Sequence, residues 1–498
     1  MPISEQTSAV TEPTLPTRVF GWWRVVMPVA LTLLVAALPP PAGLAQSAWY
    51  YFALFGGVIA ALITEPLPNP AIGLIGVTLA AALSRFVLFS PADLAKPNFN
   101  IVSQSITWGL SGFASTTVWL VGGAFMFALA YEKTGLGRRI ALTLVRALGR
   151  NTLMLGYATT FADALLGPFT PSNTARSAGI IFPIVNNLPS LYDSHPNDPS
   201  ARKLGGYIMW TTFAATCVTS SLFMTALAPN FLALEFIRKI TGVHISYLQW
   251  MRGSLPFALP LLLALPLLTY VFYPPQVRSS SEASAWARDE LRKMGRLSWR
   301  ETALMVLMAA AVLLWVLGGS LIDATLVAFL VISAMLALRV VTWDEMAKNH
   351  AAWTTLVLLA TLVTLADGLS RAGFVTWFAA FVAAHVTGLP PTLTLVALVA
   401  IYFFSHYMFA SLTAQTTAMM PVMLAAGMGI PGIQPATLAL ALALTTGIMG
   451  VISPYATGPG LAYYNSGYIL PADFWRLGAI FGLIFLVALL VIGVPLLP

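Results

Sequence analysis

Apolar runs long enough to cross about 30 Å of hydrocarbon recur along nearly the whole chain. They lie near 26–44, 48–67, 69–89, 108–131, 152–167, 204–229, 254–273, 302–320, 321–338, 351–369, 374–388, 391–410, 434–452 and 475–497. Backbone amides have no water to bond in lipid, so such runs must be helices; a transmembrane barrel would alternate polar and apolar residues instead. The span lengths predict an all-α polytopic membrane protein with about 11–13 crossings or half-crossings. Composition agrees. Only 9% of residues are charged, 58% are hydrophobic, and the mean hydropathy is +0.82. An ordinary soluble domain carries roughly 25% charged residues.

The charges bound the function. The net +7 comes from cations scattered between apolar spans, which fits membrane-flanking loops and not a nucleic-acid surface. A single cysteine, Cys217, excludes an internal disulfide framework, and five dispersed histidines carry no H-E-x-x-H pairing. Residues 1–21 read as a cytoplasmic tail with no cleavable signal, and Arg18 and Arg24 flank Trp22 and Trp23 at the first span as an interfacial anchor.

One stretch, 274–301, gathers Arg278, Glu282, Arg288, Asp289, Glu290, Arg292, Lys293, Arg296, Arg300 and Glu301. It reads as a partly helical, solvated cytoplasmic linker between a first half, 22–273, and a second half, 302–498. By contrast, 137–150 alternates Arg138, Arg139, Arg146 and Arg150 with apolar residues at helical spacing, the mark of an amphipathic helix in the membrane plane.

The two halves repeat. Gly135 precedes the amphipathic segment, a span and the polar motif Pro171-Ser172-Asn173-Thr174-Ala175; Gly373 precedes a short helix, a span and Thr413-Ala414-Gln415-Thr416-Thr417. Each motif leads to a second polar break, at Thr225-Ala226-Leu227-Ala228-Pro229-Asn230 and at Ala456-Thr457-Gly458-Pro459-Gly460. Interrupted helices at matching positions of duplicated halves point to a secondary transporter, because non-helical backbone at membrane depth survives only around a polar cavity. Half-helix N-termini in such a cavity favour an anion. The hairpins are expected near 152–190 and 391–426, with candidate ligands Ser172, Asn173, Thr174, Thr225, Pro229, Asn230, Gln415, Thr416, Thr417, Thr457, Gly458 and Pro459. Hydroxyls and amides can donate to a carboxylate without desolvating a fixed cation. Ser172 could equally cap a helix. Asp163 and Arg176 bracket the first motif; mutual pairing is favoured over an Arg176 fork on the substrate, since it leaves no buried charge uncompensated. Asp323, Asp367 and Glu65 read as interfacial, and His406, in an aromatic run, as a hydrogen-bonded packing histidine in preference to a proton relay.

Three strings carry a resemblance: Gly167-Pro168-Phe169-Thr170-Pro171-Ser172-Asn173-Thr174-Ala175-Arg176-Ser177-Ala178-Gly179, Phe409-Ala410-Ser411-Leu412-Thr413-Ala414-Gln415-Thr416-Thr417-Ala418, and Pro454-Tyr455-Ala456-Thr457-Gly458-Pro459. From Trp22 to its end the chain resembles the divalent-anion/sodium symporter superfamily, in the branch of citrate/succinate and tartrate/succinate antiporters and plastid 2-oxoglutarate/malate translocators. The resemblance implies an inverted-repeat elevator with two re-entrant hairpins, a homodimer in the bacterial inner membrane, and di- or tricarboxylate substrates. It also implies Ser-Asn-Thr at both hairpin tips, binding carboxylate and, in symporters, sodium. Here the first tip keeps Ser172-Asn173-Thr174, while the second sets Ala414 at the serine place, Gln415 at the asparagine place and Thr416 at the threonine place. The first break also carries Ala226 where sodium-coupled members have glycine. Sodium wants several hard oxygens. Exchange of one dicarboxylate for another is therefore expected, with no cofactor; a weak sodium site at Ser172 and Asn173 stays open. The alternative is a sodium- or proton-coupled dicarboxylate or sulfate symporter. No nucleophile–base pair supports an enzyme, and a channel would not show saturable counter-flow.

Overall fold

The computed structural model describes residues 21–279, 281–318, 321–385 and 389–498, so all but Gly21 of the expected tail lies outside the described residues. Among the described residues regular structure is helical, with one isolated bridge between Asn151 and Ser279. Six helices of the described residues are long and apolar enough to span a membrane alone, and five shorter apolar helices accompany them. Large apolar side chains such as Val102, Leu317 and Leu321 stay exposed around the outside, as a lipid-facing belt requires.

The duplication is explicit. Helix Thr116–Thr134 matches His350–Arg371, and each turns through a glycine at positive φ, Gly135 at 76° and Gly373 at 90°. A side chain would strain either turn. Next come the short helices Leu136–Leu148 and Phe374–His385. The first hairpin runs up Thr152–Leu166 and back through Thr174–Ile181 and Phe182–Val185; the second runs up Pro391–Ser405 and back through Leu412–Met428. A broken helix follows each: Gly205–Leu222 then Ala228–Thr241, and Pro435–Ile448 then Gly460–Asn465. Long closing helices, Tyr247–Phe272 and the one beginning at Pro471, end the two units.

The hairpins enter from opposite sides. The base of the first is sewn to the linker: Thr152 N donates to Arg278 O (3.1 Å) and its Oγ1 to Val277 O (2.6 Å). The helix from Pro471 starts on that same face, where Arg202 pairs with Asp473 and Gln276 N donates to Arg202 O (3.2 Å). It runs 26 residues to Leu496, about 39 Å of rise. At its far end the Pro498 carbonyl accepts from Thr437, beside the base of the second hairpin.

The remaining long helices form a separate layer: Asn69–Ala82 and Thr116–Thr134 both pack on His350–Arg371, and Thr116–Thr134 also packs on Ala324–Ala337. The two broken helices cross at the centre of the hairpin layer. Every residue of Gly205–Leu222 is buried. Ser221 Oγ donates to Leu444 O (2.7 Å) and accepts from Ile448 N (2.9 Å), while Trp250 Nε1 donates to Ser221 O (2.9 Å). Gly447 allows this crossing: a Cβ there would lie 2.7 Å from the Ser220 carbonyl carbon.

The linker is partly helical with exposed charges, as expected, but one face of its helix is docked and not solvated. Its helix, Ser281–Met294, packs along Leu136–Leu148, burying Ala283 and Ala287 against Leu142 and Val145. Arg138 pairs with Glu290 (2.7 Å) and Arg139 with Glu301 (2.6 Å). The amphipathic periodicity has one wet face and one face for this partner.

Gly447→Ala should cost about 1–3 kcal/mol, because backbone cannot move aside as a side chain can. Thermal unfolding of the purified protein should show a lower midpoint than wild type; an unchanged midpoint would mean the crossing is looser than described.

Candidate functional site

Both hairpins reach their tips by the same local path. A tight turn, Gly167–Phe169 or His406–Met408, ends each ascending arm, and one extended residue follows, Thr170 (φ −128°) or Phe409 (φ −122°). Two residues later a serine caps the returning helix: Ser172 Oγ accepts from Ala175 N (3.1 Å), and Ser411 Oγ accepts from Ala414 N (3.4 Å). Ser411-Leu412-Thr413 is therefore the counterpart of Ser172-Asn173-Thr174. The expected register, with Ala414, Gln415 and Thr416 in those places, is three residues too far along. The glycine spacing agrees: Gly135 to Asn173 is 38 residues, and Gly373 to Leu412 is 39, against 42 to Gln415. The first returning arm begins as a wide π-type turn over Thr174–Ile181. That turn takes up one extra residue, so a proline lies eleven positions after Ser172 (Pro183) but ten after Ser411 (Pro421).

The tips meet at one cavity of about 280 Å³. Ser172, Asn173 and Thr174 line it from the first tip, Ser411, Leu412 and Thr413 from the second, Pro229 from the first break, and Thr457 and Gly458 from the second. The facing layer contributes Phe125, Thr355, Leu358 and Leu359. Among the described residues no charged side chain lines it. Asn173 Nδ2 donates to Thr457 Oγ1 (2.7 Å), joining the first tip to the second break. Gly458 lets them approach, since a Cβ there would collide with Thr174 Oγ1. The helices beginning at Thr174, Ala228 and Leu412 all point their N-termini here, so free amides and dipoles favour an anion.

The other expected ligands are buried behind the cavity. Thr225 Oγ1 donates to Pro168 O (2.7 Å), and Asn230 Nδ2 reaches Ser220 O (2.8 Å), which fastens the broken helix. Gln415 Nε2 donates to Tyr402 O (2.5 Å) and Ser405 Oγ (3.0 Å); Thr416 Oγ1 meets Tyr402 OH (3.3 Å); Thr417 Oγ1 bonds its own helix at Thr413 O (2.7 Å). Pro459 is buried beside the cavity without lining it. Ser411, Thr413 and Thr355 are the polar residues that sequence reasoning missed. For the first two the signal was present, in the capping serine ahead of the helix.

Asp163 and Arg176 pair as expected, both fully buried, with Nε 3.2 Å from Oδ1. The guanidinium does more. Its Nη1 donates to Thr170 O (3.0 Å) at the tip and to Ala226 O (2.8 Å) in the break; its Nη2 reaches Thr216 Oγ1 and Ser220 Oγ. In the second half His406 Nε2 donates to Ala456 O (2.7 Å), the corresponding break carbonyl, as expected of a hydrogen-bonded packing histidine. Asp323 caps the helix that starts at Ala324, and Asp367 pairs with Lys239 (2.6 Å).

Sequence signatures described as the sodium:sulfate symporter transmembrane region match residues 20–496. The citrate/succinate antiporter of Escherichia coli K12 is 50% identical over 475 residues, covering 95% of this chain and 98% of that protein. The L-tartrate/succinate antiporter of the same strain is 46% identical over 477 residues, with 96% and 98% covered. Among solved structures, the YdaH transporter of Alcanivorax borkumensis superposes with a TM-score of 0.58 at 16% identity, over 86% of this chain and all of that one. MtrF of Neisseria gonorrhoeae gives 0.55 at 14% identity, over 86% and 95%. These two likenesses concern the fold.

A neutral hydroxyl donating to a carboxylate is worth about 1.5–3 kcal/mol, or roughly tenfold to a hundredfold in affinity. Ser411→Ala and Asn173→Ala should each weaken substrate affinity by that factor, read from the concentration dependence of substrate-induced thermal stabilisation. Thr417→Val, whose lost hydroxyl bonds only its own helix at Thr413 O, should stay near wild type. Equal losses at Thr417 and Ser411 would return the site to the original register.

Proposed function

The chain belongs to the sodium:sulfate symporter family, and on that footing we propose that it exchanges one small di- or tricarboxylate for another across the bacterial inner membrane. The observation that carries the reading is the cavity itself. It presents hydroxyls, one amide and helix N-termini beside an apolar wall, has no charged side chain among the described residues, and sits where two opposed hairpins meet. Uncharged donors can seat carboxylates at both ends without binding them so tightly that release fails. The relatives named above exchange citrate or L-tartrate for succinate, which is the substrate class this cavity suits.

A sodium-coupled symport is the less favoured reading, and the donor set argues against the ion. The hard oxygens a cation would need at the first tip are the carbonyls exposed by the tip and the break. Here Thr170 O and Ala226 O already accept from Arg176, and Pro168 O accepts from Thr225. A sodium ion beside Ser172 and Asn173 would compete with a guanidinium for the same oxygens. The residues do not fit the ion, and Arg176 supplies fixed positive charge where a symporter would recruit a mobile one. Ala414 plays no part in this, because it is not the counterpart of Ser172.

We take the movement to be an elevator of the hairpin layer against the layer of Thr116–Thr134 and His350–Arg371, with two protomers joined through the latter. The cavity lies on the seam between the layers, as Phe125, Thr355, Leu358 and Leu359 attest. We read the linker face, dense in Arg138, Arg146, Arg150, Arg288, Lys293 and Arg296, as the cytoplasmic one from the excess of cations there, and take the N-terminus to lie on the same side.

Proteoliposomes loaded with succinate should take up labelled citrate, tartrate or succinate at the same rate in sodium and in choline medium, and empty ones should not. Uptake that needs sodium, or that proceeds without internal dicarboxylate, would reject exchange. Arg176→Gln should abolish uptake and cost about 3–5 kcal/mol of stability, by leaving Asp163 buried and unpaired.

A further inference from the structure

We propose that the groove between the amphipathic helix Leu136–Leu148 and the linker helix Ser281–Met294 binds the phosphate headgroup of an anionic phospholipid from the adjoining leaflet. The groove encloses about 500 Å³ on the linker face, well away from the substrate cavity. Arg139, Thr143 and Arg146 line it from the first helix, and Arg288 and Arg292 from the second.

The four arginines are not equivalent. Arg139 is committed, its Nε to Glu301 (2.6 Å) and its Nη1 to Gly295 O (3.0 Å). Arg292 shares Asp289 at 3.3 Å, both largely exposed. Glu290, the nearest other acid on the linker helix, is taken by Arg138 and Lys293 (2.7 and 2.6 Å). Arg146 and Arg288 remain exposed, on opposite walls, with no carboxylate in ion-pair range among the described residues. Each guanidinium presents a planar fork suited to phosphate oxygens. The backbone that carries them is fixed, since the helices bury Ala283, Ala287, Leu142 and Val145 between them and Ser284 Oγ donates to Arg146 O (2.6 Å).

A soluble phosphate would satisfy the forks but not the groove's rim. Leu297 lines the groove and is 53% exposed; two residues on, Trp299 is 56% exposed at the start of the spanning helix Trp299–Leu317. An exposed tryptophan at a span end marks headgroup depth, and apolar surface beside phosphate-binding forks suits the glycerol and first methylenes of a lipid. The bound headgroup would tie the arm that carries the first hairpin to the linker.

The test compares full-length wild type with Arg146→Gln/Arg288→Gln, and with Arg252→Gln as an exposed arginine on the other face. Native mass spectrometry and thermal unfolding are read in detergent with added phosphatidylglycerol, phosphatidylcholine or inorganic phosphate. Wild type and Arg252→Gln should retain phosphatidylglycerol over phosphatidylcholine and melt higher in its presence. The double variant should bind it about 30-fold more weakly and lose the rise in melting temperature, with its phosphatidylcholine midpoint unchanged. An equal phosphatidylglycerol preference in the double variant would overturn the proposal. So would an equal rise from millimolar inorganic phosphate lost in the same variant, which would make this a soluble-anion site.

Discussion

The buried Arg176 holds the candidate site in shape. A hairpin tip and a broken helix both leave carbonyls without partners, and in a membrane interior water cannot serve them. One guanidinium answers three needs: it takes the tip carbonyl of Thr170 and the break carbonyl of Ala226, and it is balanced by Asp163. The first tip is thus locked to the first break from behind, and its front, Ser172 to Thr174, stays free to face the cavity. The pair is costly to bury, so its value lies in fixing geometry more than in stability.

The second half solves the same problem more cheaply. Offset by the same interval that relates Ser172 to Ser411, Gln415 falls opposite Arg176 and Tyr402 opposite Asp163. Gln415 reaches the Tyr402 carbonyl, and His406 takes over the break carbonyl of Ala456. The charged device of one half is replaced by neutral hydrogen bonds in the other. The tips differ in the same sense, with Asn173 in the first and Leu412 in the second. The first tip thus presents an amide and hydroxyls to the cavity, and the second presents hydroxyls against an apolar wall.

Much of this was legible in the sequence. Apolar span lengths gave the membrane class, the glycines at 135 and 373 marked the repeat, and the clustered polar breaks located the cavity to within a few residues. The first tip was read in register because Ser172-Asn173-Thr174 is intact. The second was misread because Leu412 removes the asparagine, and a polar Gln415 lay nearby to take its place. The linker misled for a related reason: charge density suggests solvent, yet a helix with alanines on one face can dock through that face and keep its charges outward. Residues of the facing layer, such as Thr355, carry no local signal, since only tertiary packing brings them to the site.

The polar contacts across the seam are unevenly placed. On the side away from the linker, Lys239 of the first broken helix pairs with Asp367 (2.6 Å), and Ser115 Oγ donates to Glu235 (3.0 Å). Both contacts join the hairpin layer to the helices facing it, so the elevator movement proposed above would have to break both. On the linker side the ion pairs of Arg138 and Arg139 run instead from the short arm helix to the linker and to Trp299–Leu317, which need not slide at all. In the elevator movement proposed above, the far-side contacts would set how readily the layers part, and the linker-side pairs would hold the pivot. A charge pair that is only partly exposed is strong enough to bias such an equilibrium by a kcal/mol or so, about the scale on which a carrier is tuned between two states.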